Sequence, residues 1–135
     1  MKSLEKDILL YGGKEANIEH NKIAGVEYLI RTTGFTPTAY INMKSERNYN
    51  RLESGVYNAS VNLGVHGGIT FHGRMDSIGH IMPGYWIGWD YGHWGDYIPG
   101  ITNPIGEGKK WTVDEIRKDV KHAIGVIMAV LNYGE

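Results

Sequence analysis

The chain has 135 residues, a formal net charge of −1 and no cysteine. That length fits one domain spanning residues 1–135 with a core of its own, the first 20 or so residues lying at its periphery. The weak charge offers no field to recruit long nucleic acid or an anionic membrane. The missing cysteines remove disulfides, thiolate metal sites and cysteine nucleophiles together. No segment is long enough to span a bilayer, and the apolar run Ile8-Leu9-Leu10-Tyr11, preceded by acidic residues, is too short for a secretory signal. These features predict a cytoplasmic protein.

Residues 4–11 read as a short helix or an edge strand ended by Gly12-Gly13. Residues 25–33 are rich in β-branched and aromatic side chains and read as a strand. The turn signal Gly34-Phe35-Thr36-Pro37 and the run 38–43 then predict an antiparallel hairpin. The polar, charged stretch 44–54 reads as an exposed loop. In it, Lys44, Arg47 and Arg51, with Arg74 further on, offer cations that could close over phosphates.

Next comes Val65-His66-Gly67-Gly68-Ile69-Thr70-Phe71-His72-Gly73. At a period of two from position 61, Val61, Leu63, Val65, Ile69 and Phe71 share one face. His66, Thr70 and His72 share the other with Gly64 and Gly68, which reads as a strand with one polar, glycine-spaced face. A bulge at Gly67-Gly68 would instead put His66 and His72 on opposite faces. After a loop over 74–84 containing His80, a second strand runs through Tyr85-Trp86-Ile87-Gly88-Trp89-Asp90-Tyr91-Gly92-His93. Its odd positions are bulky, and its even positions are Trp86, Gly88, Asp90 and Gly92. If the two strands pair, small residues surround a crevice holding His66, Thr70, His72, Asp90 and His93.

Thr112 and Glu115 form a capping box. Ile116, Val120, Ala123, Ile124, Ile127, Val130 and Leu131 recur at helical spacing behind it, predicting an amphipathic helix over 113–132 with Gly134 beyond its end. Its apolar stripe should cover the Val65/Ile69/Ile87/Trp89 side of the sheet and leave the glycine-rich side for a ligand. The expected architecture is α+β, a small antiparallel sheet packed on one face by the C-terminal helix.

The chemistry points to an anionic or nucleobase-bearing small molecule. His66, Asp90 and His93 are the candidate catalytic groups, with Asp90 orienting His93 as a carboxylate orients a catalytic imidazole. Thr70, His72, Arg74, Trp86, Tyr91, Trp94 and Asp96 are the candidate ligand-binding residues. Among the aromatic residues, Trp86, Trp89, Trp94, Tyr91 and Tyr97 offer faces for stacking a base, while Trp89 and Ile87 also suit the core. No cofactor is required by this reading. An alternative places a divalent zinc or manganese ion on His66, His72, Asp90 and His93, as in a metal-dependent hydrolase. No nucleophilic-serine motif, phosphate loop or dinucleotide fingerprint occurs, and the paired H-x-[ST] motifs of two-histidine phosphoesterases are missing.

The segments V-H-G-G-[IL]-T-[FY] (65–71) and W-x-G-[FW]-D-x-x-H-x-G-D (86–96), behind a hairpin with Gly34 and Tyr40 and ahead of a capped helix, resemble a family of small, mostly uncharacterised proteins encoded in bacteriophage and prophage genomes. The resemblance covers roughly residues 25–131. Members often carry cysteine where this chain has Tyr91, and histidine where it has Phe35. It implies an accessory protein acting in the host bacterial cytoplasm, in a setting where countering host defence is frequent and some proteins capture or degrade nucleotide signals. The residues themselves offer three kinds of partner: a nucleotide ligand in the crevice, a host defence protein bound through an aromatic surface such as Trp94 and Tyr97, or a second copy of the chain through the sheet edge or helix, as in a virion or assembly component.

Overall fold

The computed structural model describes residues 2–75, 83–100, 106 and 108–131. The predicted His80 loop centre and Gly134 helix end lie outside the described residues. Among the described residues the elements are five strands and four helices: α1 (Ser3–Leu10), β1 (Ala16–Ile23), β2 (Val26–Thr32), β3 (Pro37–Asn42), α2 (Glu46–Gly55), α3 (Ala59–Asn62), β4 (Phe71–Met75), β5 (Gly84–Asp90) and α4 (Val113–Leu131). The sheet order is β1-β2-β3-β5-β4, with every neighbour antiparallel. This is the α+β arrangement expected, with α4 lying against β2 and β3.

The capping box closes as the sequence predicts. Thr112 N–H donates to Glu115 Oε1 at 3.0 Å, and Glu115 N–H donates to Thr112 Oγ1 at 3.3 Å. Val113, Ile116, Val120, Ala123, Ile124, Ile127 and Leu131 are buried along α4, and Val130 packs at the margin. They meet the inward face of the sheet, where Tyr28, Ile30, Ala39, Ile41, Ile87 and Trp89 belong to the same core. Burial of this stripe holds α4 in place, each large side chain contributing about 1.5–3 kcal/mol.

Several expectations change. The first 20 residues supply both a helix and the edge strand β1. Residues 44–54 are not a loop: Ser45 caps α2 by accepting from Asn48 N–H at 3.1 Å, and Tyr49 and Leu52 are buried. A helix with only two inward apolar residues among so many polar ones carries a weak periodic signal.

The strand predicted from position 61 does not exist as such. Residues 59–62 form α3, and Gly64, Gly67 and Gly68 adopt φ of 83°, 69° and 80°, which an extended strand cannot accommodate. Strand structure begins only at Phe71. Phe71 therefore pairs with Gly88, and His72 with Ile87, reversing the predicted faces. His72 lies on the helix side of the sheet, and Phe71 joins Leu29, Trp86, Tyr40 and Met75 on the other.

The glycines of β5 do not floor a crevice either. A Cβ on Gly88 would stand 2.6 Å from the Tyr40 ring, and one on Gly84 would stand 2.5 Å from the Asn42 amide. The glycines admit neighbouring side chains rather than a ligand.

Candidate functional site

The two motifs do meet, at the end of β5, through Asp96. Its carboxylate is 3% exposed and accepts three hydrogen bonds: from His66 Nε2 at 2.7 Å, from His93 N–H at 2.9 Å and from Trp111 Nε1 at 2.9 Å. Burial alone would raise the pKa of this carboxyl. The donors from Trp111, His66 and His93 outweigh it and hold the group below its ordinary value. Asp96 is placed by the turn that His93 O closes with Asp96 N–H at 2.9 Å. The run to Trp111 is fastened beside it by Tyr97 N–H to Lys109 O and Lys109 N–H to Gly95 O, both 2.8 Å.

His66 is boxed in by rings. Tyr91 lies parallel to it at 5.2 Å and 5°, Trp111 leans against it at 4.6 Å, and His93 meets it edge-to-face at 5.5 Å. Because Asp96 is the acceptor, the His66 proton sits on Nε2 and Nδ1 becomes the basic nitrogen. His66 Nδ1 makes no hydrogen bond among the described residues and is not sealed from solvent.

A second carboxylate–imidazole pair stands alongside. Asp90 Oδ1 lies 3.4 Å from His93 Nε2, accepts from Gly92 N–H at 3.0 Å, and Asp90 Oδ2 is 3.5 Å from the Thr70 hydroxyl. His93 Nε2 and Asp90 are close enough to attract but are misaligned for a hydrogen bond, so that nitrogen is buried without one.

Gly67 explains why His93 sits where it does. A Cβ there would come within 2.2 Å of His93 Nε2, and the residue holds φ +69°. Gly67→Ala is expected to displace the His93 ring and to cost about 1–3 kcal/mol from the left-handed backbone and the clash together. A urea-unfolding midpoint together with the His93 imidazole NMR signals checks this. A wild-type midpoint with unmoved signals would refute the contact.

The other expected residues divide. Asp96, His66, His93, Asp90 and Thr70 come together. Trp94 flanks them, 76% exposed. Tyr91 is fully buried, so it supports His66 instead of stacking on a ligand. Its hydroxyl receives Trp89 Nε1 at 2.9 Å and donates to Asp119 at 2.7 Å, and burial pushes its pKa upward. Trp86 is fully buried on the opposite face of the sheet and offers a ligand nothing. Tyr97 packs edge-on against Tyr11 at 5.4 Å.

His72 is drawn away by the reversed register, stacked on Tyr49 at 4.3 Å with Nδ1 3.1 Å from the Tyr85 hydroxyl. Arg74 lines a separate cavity of about 280 Å³ with Lys44 and Tyr85. Among the described residues no three His, Asp or Glu side chains are grouped so as to hold a metal ion, so His66, His72, Asp90 and His93 do not form the ligand set that the sequence allowed.

Trp111 was missed. An indole one residue before a capping threonine carries no spacing that ties it to position 96, and only the chain path reveals it. Among the described residues no helix is long and apolar enough to cross a membrane. Comparison with family models, with curated proteins and with solved structures gave no match.

Proposed function

We propose that this is a phage-type accessory protein of the host cytoplasm that binds a small nucleotide-type signalling molecule at the His66–His93 pair and hydrolyses its phosphate ester, countering host defence. The observation that carries this reading is the buried Asp96 carboxylate. It fixes the His66 tautomer and, through the His93 backbone, sets a second imidazole 5.5 Å away with Asp90 beside it. An imidazole oriented by a buried carboxylate, with a second imidazole and a second carboxylate beside it, is suited to give and take protons as water attacks a phosphate ester, without a nucleophilic side chain. Such groups contribute about 10²–10⁴-fold each. The phage setting rests on the motif resemblance, and a small ligand rather than long nucleic acid accords with the net charge of −1.

The test is to incubate the protein with linear and cyclic nucleotides and with bis(p-nitrophenyl) phosphate, then resolve the products before and after heat denaturation. New products, reduced about 100-fold or more in a folded His66→Ala variant, are the expected result. A panel left both unbound and uncleaved, or full activity in His66→Ala, overturns the proposal. A ligand that vanishes and returns intact on heating would leave the binding half standing and remove the hydrolytic one.

Trp94 favours a second reading. An indole 76% exposed on a turn is the kind of anchor that binds a protein partner, here a host defence enzyme. That reading expects a complex lost in Trp94→Ala and kept in His66→Ala.

A further inference from the structure

Beside the histidine pair lies a cavity of about 360 Å³ lined by Tyr49, Glu53, Asn58, Ile69, Thr70 and His72, together with Ala59. We propose that it holds a guanine-type base of the nucleotide bound at His66 and His93. This rests on the nucleotide reading above and names the base that reading leaves open.

Three observations converge. The first is position. Thr70 belongs to both places: it lines the cavity, and its hydroxyl reaches Asp90 Oδ2 at 3.5 Å. A ligand with its phosphate at the imidazoles therefore has its base within reach of this cavity, whose volume suits a nucleoside.

The second is a stacking surface. The His72 ring lies nearly parallel to Tyr49, at 4.3 Å and 15°, with Nδ1 held by the Tyr85 hydroxyl at 3.1 Å. His72 is nevertheless exposed. It is a flat ring, backed on one face, locked in orientation and open to a ligand on its remaining surface. A base stacked there adds a third layer to a preformed pile.

The third is the hydrogen-bonding character of the wall. Glu53 is the one formal charge on it, and the lining holds no lysine or arginine. Tyr49, which lines the same cavity, stands one helical turn before Glu53 on α2. Burial and the Glu53 carboxylate together push the Tyr49 pKa upward.

A wall with a carboxylate as its one charge repels phosphate and selects a group with donors. Guanine presents two adjacent donors, N1–H and the N2 amino group, matching the two oxygens of a carboxylate. Adenine and cytosine each set a ring-nitrogen acceptor next to their amino group, which would face the carboxylate lone pairs. Uracil has a single N–H between two carbonyls. Among the bases, guanine alone pairs with Glu53 through both oxygens.

Guanosine, which carries no phosphate, isolates this site from the histidine pair. Titrating the intact protein with guanosine, inosine, adenosine and cytidine, followed by calorimetry and by His72 NMR shifts, should show guanosine bound about tenfold or more tightly than the others, inosine losing because it lacks the N2 amino group. Glu53→Gln, a surface change that keeps the fold, should lower guanosine affinity about tenfold and leave the weaker nucleosides unaffected. His72→Ala should weaken all four alike, and His66→Ala should leave guanosine binding unchanged.

Equal binding of the four, no binding, or indifference to Glu53→Gln overturns the proposal. So does stronger competition from arginine methyl ester, whose guanidinium has the same paired donors and would mark a cationic side chain as the true occupant. Failure of guanosine while His66-dependent cleavage of bis(p-nitrophenyl) phosphate persists removes this inference alone. Selective guanosine binding with no His66-dependent chemistry removes the hydrolytic reading alone.

Discussion

Asp96→Asn is expected to destabilise the protein by about 3 kcal/mol and to abolish any chemistry at His66. The asparagine is the same size but can accept on one atom only. If its oxygen stays toward His66 and His93 N–H, its amino group confronts the Trp111 Nε1–H, which now donates to Oδ1 at 2.9 Å. If it flips, the amino group confronts the His93 N–H, which now donates to Oδ2 at 2.9 Å. Either way a buried N–H faces another donor, and water has little access to a side chain 3% exposed.

The pH dependence follows from the direction of the Asp96 shift. Its carboxyl is held below the ordinary value in the folded state, so its contribution is fully present above the unfolded value of about 4 and is lost as pH falls through the folded one. Urea unfolding of both proteins across this range should show their difference shrinking in acid. A difference that is constant with pH would mean that the Asp96 charge does not matter. Trp111→Phe serves as the control: it removes one donor without creating a donor–donor contact, and should cost about 1 kcal/mol for that bond.

The second large effect lies far from the site, at Glu19 of β1. This carboxylate is 8% exposed. It accepts from Arg117 Nε at 2.7 Å and Nη2 at 2.6 Å, from Lys6 Nζ at 2.6 Å and from the Tyr28 hydroxyl at 2.7 Å. It thus joins α1, β1, β2 and α4. The Arg117 fork is the main cause that brings its pKa down to about 2, against the opposing effect of burial, with Lys6 and Tyr28 adding to the lowering.

Relative to an ordinary 4.5, that shift corresponds to about 3 kcal/mol, and about 2 after allowing for the partly exposed Arg117. Because the folded value is depressed, this stability is present above pH 4.5 and disappears as pH falls toward 2. Glu19→Gln should therefore lower the unfolding free energy by about 2 kcal/mol at neutral pH. The variant and wild-type curves should converge near the acid end, and curves that stay parallel would refute the assignment.

Legibility from sequence varied with how local each signal was. The amphipathic stripe from Ile116 to Leu131 and the Thr112–Glu115 cap are contained within neighbouring turns, and the structure reproduces them. The β2–β3 hairpin was legible for the same reason, being closed by a turn in which Thr33 N–H donates to Thr36 O. Residues 61–70 were not. The alternation of apolar and polar residues there imitates a strand, while three glycines with positive φ turn the chain. Periodicity registers side chains and is blind to backbone handedness.

The site was half legible. The two motifs named His66, Asp90, His93 and Asp96, and proximity joined them. Asp96 proved to be the hub where Asp90 had been expected to be. The indole that completes it comes from outside both motifs, and His72 was misplaced by a single step of register.

The fastening of Trp111 has a consequence for how the molecule is made. Trp111 N–H donates to the Tyr11 hydroxyl at 2.9 Å, and Val113 N–H to Asp7 at 2.7 Å, contacts that join residues 100 and 106 positions apart. On the ribosome, β1 to β3 can pair as soon as they emerge, since their partners are close in sequence. His66 must wait with one side of its aromatic box open until residue 111 is released and docks against the first helix. The His66 box is thus among the last parts of the nascent chain to be assembled, closed only when residues 7–11 and 111–113 have met.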